Sequence, residues 1–152
     1  MKQTPVSVVS ELSTMKALVV PENTPLTVAV ERFSSNEGQH GIFLTDAAGR
    51  FSAVVDNRDL LNWARVQFNL SPGEVPLPVG KTRRLLNAKL VRDLAMPDSK
   101  RKAVHLTDTL AEALNRMARH DLEDIAVLDA DGHVVNDLRL SEVLAFALRL
   151  QA

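Results

Sequence analysis

The chain contains two stretches in which hydrophobic residues are spaced as on one face of an α-helix. The spacing i, i+3, i+4, i+7 occurs at Leu26, Ala29, Val30 and Phe33, and again at Leu110, Ala113, Leu114 and Met117. Thr24 followed by Pro25 is typical of a helix start, and Asp108 occupies the same place in the second stretch. We therefore predict two amphipathic helices that pack their apolar faces against a core.

Short apolar runs on either side of these helices predict β-strands. The runs cover residues 17–20, 42–44 and 51–55 in the first half, and residues 103–106, 125–128 and 134–138 in the second. In each half the last two runs are separated by DAAG or DADG, which favours a type I turn closing a hairpin. Each half then ends in a predicted helix, over residues 57–68 and 141–151.

The order of these elements repeats along the chain at a nearly constant distance. Residues 9–12 (VSEL), 23–33 and 42–61 align with residues 91–94 (VRDL), 107–117 and 125–144. The offset stays between 82 and 84 residues, and it changes only where loops are expected. The sequence thus predicts two copies of one strand-helix-strand-strand-helix unit.

We place the first unit at residues 1–68 and the second at residues 82–152, joined by a Pro- and Gly-rich linker at residues 69–81. A further helix is expected over residues 82–94. The predicted fold class is α/β, in the α+β arrangement, with two pseudo-symmetric βαββα units packed sheet to sheet. Because each unit has only about 60 residues, we expect that neither folds without the other.

This succession of motifs resembles the CBS (cystathionine-β-synthase-type) domain, and two copies in tandem resemble a CBS pair, or Bateman module. The resemblance covers nearly the whole chain. It implies a regulatory protein, not an enzyme, in which the cleft between the units binds an adenine nucleotide or S-adenosylmethionine. It also implies dimerisation and control of a partner, which is expected to be a separate protein because the two units use almost all of the chain.

The resemblance also implies the ligand-binding residues. Family members that bind nucleotides carry G-h-h-[ST]-x-x-D, where h is hydrophobic, between the last strand and the last helix. The first copy reads AVVDNRD at residues 53–59 and the second reads NDLRLSE at residues 136–142, so both depart from the motif. The implied residues are Val20, Pro21, His40, Val54, Val55, Asp56, Arg58, Asp59, Arg139 and Glu142. A ligand-free module that serves dimerisation or partner docking remains open as the alternative.

The first copy is the better candidate for binding an anion. It has His40 where the second copy has Glu123 and Asp124, and it also has Arg58, so we expect Asp59 to matter more than Glu142. Asp56, which replaces a hydroxyl, favours a ligand with few phosphates or a cationic sulfonium. The alternatives are that Asp56 and Asp59 only cap the closing helix, and that His40 is a surface residue without a role.

Composition excludes several other functions. With 18 Lys+Arg against 19 Asp+Glu, the formal charge is −1, which gives no global field for nucleic acid or an anionic membrane. The basic stretch around residues 81–102 is expected to be a solvated face, because one Trp and no Tyr provide little for base stacking. The lack of Cys and of a membrane-length apolar run indicates a cytoplasmic protein. The four His show no metal-ligand spacing, so no metal or resident cofactor is expected.

The two closing helices carry more apolar residues than one buried face can cover. Leu60, Leu61, Trp63, Ala64 and Phe68 belong to the first, and residues 143–148 (VLAFAL) belong to the second. Helices that are apolar around much of their circumference are normally covered on more than one side. We therefore expect a homodimer.

Overall fold

A computed structural model of the chain describes residues 2–12, 16–36, 38–68, 76–95 and 98–151. The first half contains α1 Val6–Ser10, β1 Val19–Pro21, α2 Leu26–Ser35, β2 Gly41–Thr45, β3 Phe51–Asp56 and α3 Asn57–Gln67. The second half contains α4 Val79–Leu86, two 3-10 helices at Val91–Leu94 and Ser99–Arg101, β4 Ala103–His105, α5 Leu110–His120, β5 Asp124–Leu128, β6 Val134–Arg139 and α6 Leu140–Gln151. None of the helices in these ranges is long and apolar enough to cross a lipid bilayer.

Each half forms a three-stranded sheet with the same topology. β1 pairs in parallel with β2, which pairs antiparallel with β3, and β4, β5 and β6 repeat this order. The hairpin turns lie where the sequence predicts them. The carboxylates of Asp46 and Asp129 accept backbone N–H groups within their turns. Gly49 and Gly132 adopt φ of 79° and 87°, which Gly tolerates best.

The two sheets pack face to face, which confirms the predicted architecture. Their shared cluster contains Phe43, Phe51 and Val54 from the first unit and Ala103, Ala126 and Leu128 from the second. The backbone N–H of Phe51 also donates to the carbonyl oxygen of Gly132 at 2.9 Å, so the hairpin of one unit touches that of the other. The apolar face that each sheet turns away from its own helices is thereby covered.

The helix α1, at the start of the chain, packs into the core of the second unit. Val6 and Val9 are buried there in the same cluster as Val104. The backbone N–H of Val6 donates to the carbonyl oxygen of Asp108 at 2.8 Å. The segment that opens the first repeat thus contributes to the hydrophobic core of the second unit.

The segment that precedes the second sheet makes the reciprocal contact. Leu85, Val91 and Leu94 are buried in the core of the first unit together with Val20. The backbone N–H of Val91 donates to the carbonyl oxygen of Thr24 at 2.9 Å. Each hydrophobic core therefore contains residues from both halves of the chain. The predicted unit boundaries mark the sequence repeat and not the two cores.

The predicted helix over residues 82–94 is interrupted between Leu86, where α4 ends, and Val91, where a 3-10 helix begins. Within this interruption Leu90 is extended and forms a β-bridge with Pro25 of the first unit. The carboxylate of Asp93 accepts the backbone N–H of Leu90 at 2.9 Å, which caps the start of the 3-10 helix Val91–Leu94. Pairing with the first unit thus breaks the predicted helix in two.

The predicted linker at residues 69–81 overlaps with α4, which begins at Val79. Residues 69–75 of this linker lie outside the described residues. The helix packs against α3 and contributes Leu85 to the first core. The last part of the predicted linker is therefore helical.

Both amphipathic helices begin one residue later than predicted. Pro25, not Thr24, precedes the first residue of α2, and Thr109, not Asp108, precedes that of α5. In α5 the hydroxyl of Thr109 accepts the backbone N–H of Glu112 at 3.2 Å, and the Glu112 carboxylate accepts that of Thr109 at 2.8 Å. This reciprocal pair is a capping box, which satisfies two backbone donors at the helix start.

Candidate ligand cleft

A cavity of about 260 Å³ lies between the two units, where β2 begins and β3 ends. We call it the first cleft. It is lined by His40, Gly41, Phe43, Val54, Asp56, Asn57 and Arg58 from the first unit and by Asp121, Leu122, Glu123 and Asp124 from the second. The lining therefore combines an apolar wall with charged side chains from both units.

Gly41 allows β2 and β3 to approach each other closely at the edge of the first cleft. It is the register partner of Asp56, and a Cβ at this position would lie 3.1 Å from the carbonyl oxygen of Val55. A side chain here would have to displace the backbone of β3, because strand atoms have little freedom to move. The position of Asp56 at the cleft thus depends on a glycine opposite it.

Asp56 and Asp59 form a capping box at the start of α3. The Asp56 carboxylate accepts the backbone N–H of Asp59 at 3.0 Å, and the Asp59 carboxylate accepts that of Asp56 at 3.1 Å. Asp59 is only 5% exposed. Burial, and then repulsion from Asp56, raise the pKa of Asp59 to about 6. The capping role that the sequence left open is thus realised, and it holds Asp59 in an unfavourable electrostatic environment. Asp59 itself is not among the residues that line the first cleft.

The two predicted cations of the first cleft contact carboxylates of the second unit. Arg58 forms an ion pair with Asp121, and Nδ1 of His40 lies 3.9 Å from a carboxylate oxygen of Glu123. All four side chains are more than a third exposed, so each pair contributes less than about 1 kcal/mol to stability. These weak contacts join the two units across the mouth of the cleft.

The predicted apolar residues lie in two different places because side chains alternate across a strand. Val54 lines the first cleft and faces the other sheet. Val55 and Val20 are fully buried in the core of the first unit, on the face turned to the helices. Pro21 pairs with Thr45, at the end of β2 opposite to the cleft. The structure thus brings Val54 together with the charged residues, but not Val20, Val55 or Pro21.

In the second unit, the position equivalent to Asp56 is occupied by Arg139, which is buried. Its Nε lies 3.0 Å from Oδ2 of Asp137 and 3.9 Å from Oδ2 of Asp124. Burial, and then the neighbouring Asp137, raise the pKa of Asp124 to about 9, so Asp124 is protonated at neutral pH. The carboxylate of Glu142 accepts the backbone N–H of Arg139 at 2.9 Å, as Asp59 does for Asp56. A buried polar cluster therefore takes the place of the apolar wall found in the first unit.

Several residues of the cleft were not predicted from the sequence. Asp121 and Leu122 come from the second unit, and their contribution follows from the pseudo-symmetry that sets residues 38–41 against residues 121–124. Ser99 was also missed: its hydroxyl accepts the backbone N–H of Val54 at 3.2 Å and fixes the 3-10 helix Ser99–Arg101 against β3. The signal for the first two was available in the repeat alignment, since His40 and Glu123 are equivalent positions.

One group among the described residues could offer three ligand atoms to a metal ion. Asp129, Asp131 and His133 lie in the second hairpin turn, with their ligand atoms within 4.8 Å of one another. The Asp129 carboxylate already accepts the backbone N–H groups of Asp131 and His133, both at 2.9 Å. These hydrogen bonds account for the arrangement as a turn, and we assign no metal to it.

Comparison with known proteins agrees with the repeat. The family model described as "CBS domain" matches residues 9–65 and again residues 91–149. Together these matches cover more than half of the chain. Among curated proteins, no sequence matches this chain.

Solved structures resemble the whole chain. A CBS domain-containing protein from Thermotoga maritima superposes with a TM-score of 0.75 at 22% identity, covering 98% of this chain and 97% of that one. A CBS domain protein from Pyrobaculum aerophilum, complexed with AMP, gives 0.66 at 22% identity, covering 94% and 97%. A CBS domain pair solved with 5-methylthioadenosine and S-adenosyl-L-methionine gives 0.66 at 10% identity, covering 95% of each chain. These likenesses establish the shared fold.

Proposed function

Since this chain belongs to the CBS domain family, we propose that it is a regulatory CBS pair that binds an adenosine-containing ligand and modulates a separate partner protein. The ligand would be AMP, ADP, ATP or S-adenosylmethionine. The observation that carries the proposal is the first cleft, where Phe43, Val54 and Leu122 line a cavity beside the carboxylate of Asp56. Two of the structural relatives contain AMP or S-adenosyl-L-methionine, which supports this ligand class.

The chemistry of the first cleft suits the parts of an adenosine. An adenine ring is flat and apolar on its faces, so it can pack against Val54 and Leu122. Ribose hydroxyls are donors that a carboxylate accepts well, and Asp56 and Asp59 are the carboxylates at the start of α3. Asp59 does not line the cleft, but its hydrogen bond from the Asp56 N–H holds it at the same helix start.

The first cleft is favoured over its counterpart in the second unit. There, Arg139 and Asp137 form a buried ion pair at the positions equivalent to Asp56 and Val54. Adenine binding would require this pair to be desolvated further or broken, and breaking a buried pair costs about 3–5 kcal/mol. Asp59 should therefore contribute more to ligand binding than Glu142.

The charge of the first cleft limits the ligand's phosphates. The first cleft is lined by three carboxylates and one guanidinium, those of Asp56, Asp121, Glu123 and Arg58. A like charge at close range is unfavourable by an amount that depends on the local dielectric. AMP or the sulfonium of S-adenosylmethionine should therefore bind more tightly than ATP.

Regulation would follow from the position of the cleft between the units. A ligand that contacts Arg58 or Glu123 competes with the two ion pairs across the mouth of the cleft. It would favour one arrangement of the units over another, by no more than its difference in affinity for the two. The partner protein would bind one of these arrangements in preference to the other.

The test is calorimetry and thermal denaturation with AMP, ATP and S-adenosylmethionine. A ligand at 100 times its dissociation constant stabilises the folded protein by about 2.7 kcal/mol, which a thermal shift detects. Asp59→Asn should weaken binding at least tenfold, and the matched Glu142→Gln should leave it nearly unchanged. Loss of binding in Glu142→Gln but not in Asp59→Asn would contradict the choice of cleft.

A ligand-free interaction module is the second candidate function. It is favoured by the capping box, in which Asp56 and Asp59 already satisfy each other's backbone donors. The absence of any thermal shift with the adenosine compounds, together with a stable dimer, would support this candidate instead.

The proposal includes a homodimer formed through the closing helices α3 and α6. Leu61, Leu144 and Leu148 are 61%, 55% and 69% exposed on these helices. Burying such side chains contributes about 25 cal/mol for each Å² removed from water. Sedimentation should show a dimer at micromolar concentration, and Leu148→Asp should dissociate it, whereas Val28→Asp on the exposed side of α2 should not. A monomeric wild-type protein would contradict this part of the proposal.

A non-catalytic role and a cytoplasmic site of action also belong to the proposal. Both rest on the sequence patterns and the family. Fractionation of cells that express the protein checks the location.

A further inference from the structure

A second and larger cavity, of about 420 Å³, lies on the second unit at the C-terminal half of α5. We call it the basic cavity. Its walls are the 3-10 helix Ser99–Arg101, the end of β4 and one face of α5. It is lined by Lys100, Arg101, Ala103, His105, Arg116, Arg119, His120 and Leu128. Six of these eight residues are basic and none is acidic.

Among the described residues, most cations of the basic cavity have no ion-pair partner, although Asp98 acts electrostatically on His120. In the part of the chain that the structure describes, no carboxylate lies within 4.0 Å of the charged nitrogens of Lys100, Arg101 or Arg119. His105 is the exception, since its Nδ1 lies 3.9 Å from the carboxylate of Asp108. Solvated surface cations normally spread apart, whereas these converge on one concave site.

The fold holds the cations in place against their repulsion. Arg116 donates from Nη1 to the carbonyl oxygen of Ala103 at 2.6 Å, which fixes its guanidinium at the wall. Burial, followed by Lys102, Arg119 and Arg116, lowers the pKa of His120. A lowered pKa favours the neutral imidazole, which can donate or accept a hydrogen bond within a positive site.

We propose that the basic cavity binds a phosphate chain of at least two phosphoryl groups. Guanidinium groups bind phosphate oxygens in a bidentate manner, and Lys adds a compact positive charge. Lys100 and Arg101 stand on one wall and Arg116 and Arg119 on another, so four permanent cations match the charge of a di- or triphosphate better than that of one phosphate. This phosphate chain belongs either to a free inorganic polyphosphate or to the tail of a nucleotide.

The lining favours a small anion over a nucleic acid. The basic cavity is concave, and its apolar lining residues are Ala103 and Leu128. Proteins that bind single-stranded RNA stack its bases on aromatic side chains, and this lining contains no Phe, Tyr or Trp.

The experiment is calorimetry of the full chain with sodium tripolyphosphate and with pyrophosphate at low ionic strength. One site per chain is expected, with an affinity that falls as salt is added. Lys100→Gln and Arg119→Gln, on opposite walls, should each weaken tripolyphosphate binding at least tenfold. Both side chains are exposed, so circular dichroism should show an unchanged fold.

The controls separate this site from the first cleft and from non-specific attraction. Arg83→Gln removes an equal charge from the exposed surface of α4 and should leave binding unchanged. Asp59→Asn should also leave tripolyphosphate binding unchanged, so failure of the adenosine site does not decide this one. If Arg119→Gln weakens binding of ATP and tripolyphosphate but not of AMP, the phosphate chain is a nucleotide tail; if it weakens tripolyphosphate alone, the ligand is a free polyphosphate.

Three results would overturn the proposal. The first is no detectable binding of either compound at millimolar concentration. The second is an equal loss of affinity in Arg83→Gln, which would indicate attraction to net charge only. The third is a single-stranded RNA oligonucleotide that binds more tightly than tripolyphosphate and is weakened by the same variants.

Discussion

Replacing Asp59 by Asn should stabilise the protein at neutral pH. The carboxyl is buried beside Asp56, and its pKa is raised from 3.8 to about 6. The folded protein thus keeps this proton to a higher pH than the unfolded chain does, so the free energy of unfolding falls as the pH rises from about 4 to about 6. An amide retains the acceptor for the Asp56 N–H and carries no charge at any pH.

The size of the effect follows from the difference between the two pKa values. At 1.36 kcal/mol per pKa unit, the ionised carboxyl destabilises the folded state by about 3 kcal/mol at pH 7.5. At pH 4 most of this penalty is absent, and about 0.5 kcal/mol remains. Asp59→Asn should therefore gain stability mainly above pH 6, while losing ligand affinity, as expected of a group kept for binding.

Urea denaturation of wild type and Asp59→Asn at pH 4 and pH 7.5 measures this difference. Asp46→Asn is the matched control, because Asp46 also accepts backbone N–H groups but is only half-buried, in a hairpin turn. It should show no gain at pH 7.5. A variant Asp59→Asn that is no more stable than wild type at pH 7.5, or equally stabilised at both pH values, would refute the reasoning.

Three further outcomes follow from the contacts described above. Asp124→Asn should flatten the decline in stability between about pH 4 and about pH 9, because over this range the unfolded chain ionises this carboxyl while the folded protein keeps its proton; an unchanged profile of urea midpoint against pH would contradict it. Val9→Ala should lower the free energy of unfolding by about 2 kcal/mol, because Val9 is buried in the second core, and an effect below 0.5 kcal/mol would deny that packing. Gly41→Ala should destabilise by at least about 1 kcal/mol, because its Cβ would press on the carbonyl oxygen of Val55; a thermal midpoint equal to that of wild type would show that β3 yields freely.

The sequence predicted the elements that depend on local patterns. The strands, the hairpin turns and the closing helices lie within a few residues of their expected positions, because alternation, turn residues and helical periodicity are local signals. The break after Leu86 was missed because the extended conformation of Leu90 depends on its pairing with Pro25, a contact that no local pattern contains. The same holds for Val6 and Val9, whose apolar side chains indicate burial but not which core receives them.

The candidate site was predictable only in part. Asp56, Arg58 and Val54 flank one strand-to-helix junction, and His40 joins them because it precedes Gly41, the register partner of Asp56. Alternation along β3 places Val55 on the face opposite to Val54, in the core of the first unit. Val55 was assigned to the ligand site only because of its place in the family motif. The basic cavity joins residues from a 3-10 helix and from α5, and their proximity arises only when the chain is folded.

The exchange of segments between the two cores also bears on synthesis. A nascent chain that has just completed α3 still lacks Val91 and Leu94, which belong to the core of its first unit. The helix α1 must wait longer, since its neighbour Val143 in the second core is translated long after Val6. At about 5–20 residues per second, Val6 leaves the ribosome on the order of ten seconds before that core can close around it. The helix α1 therefore stays exposed during much of translation, and a chaperone or an unrelated hydrophobic surface can bind it before the second core forms.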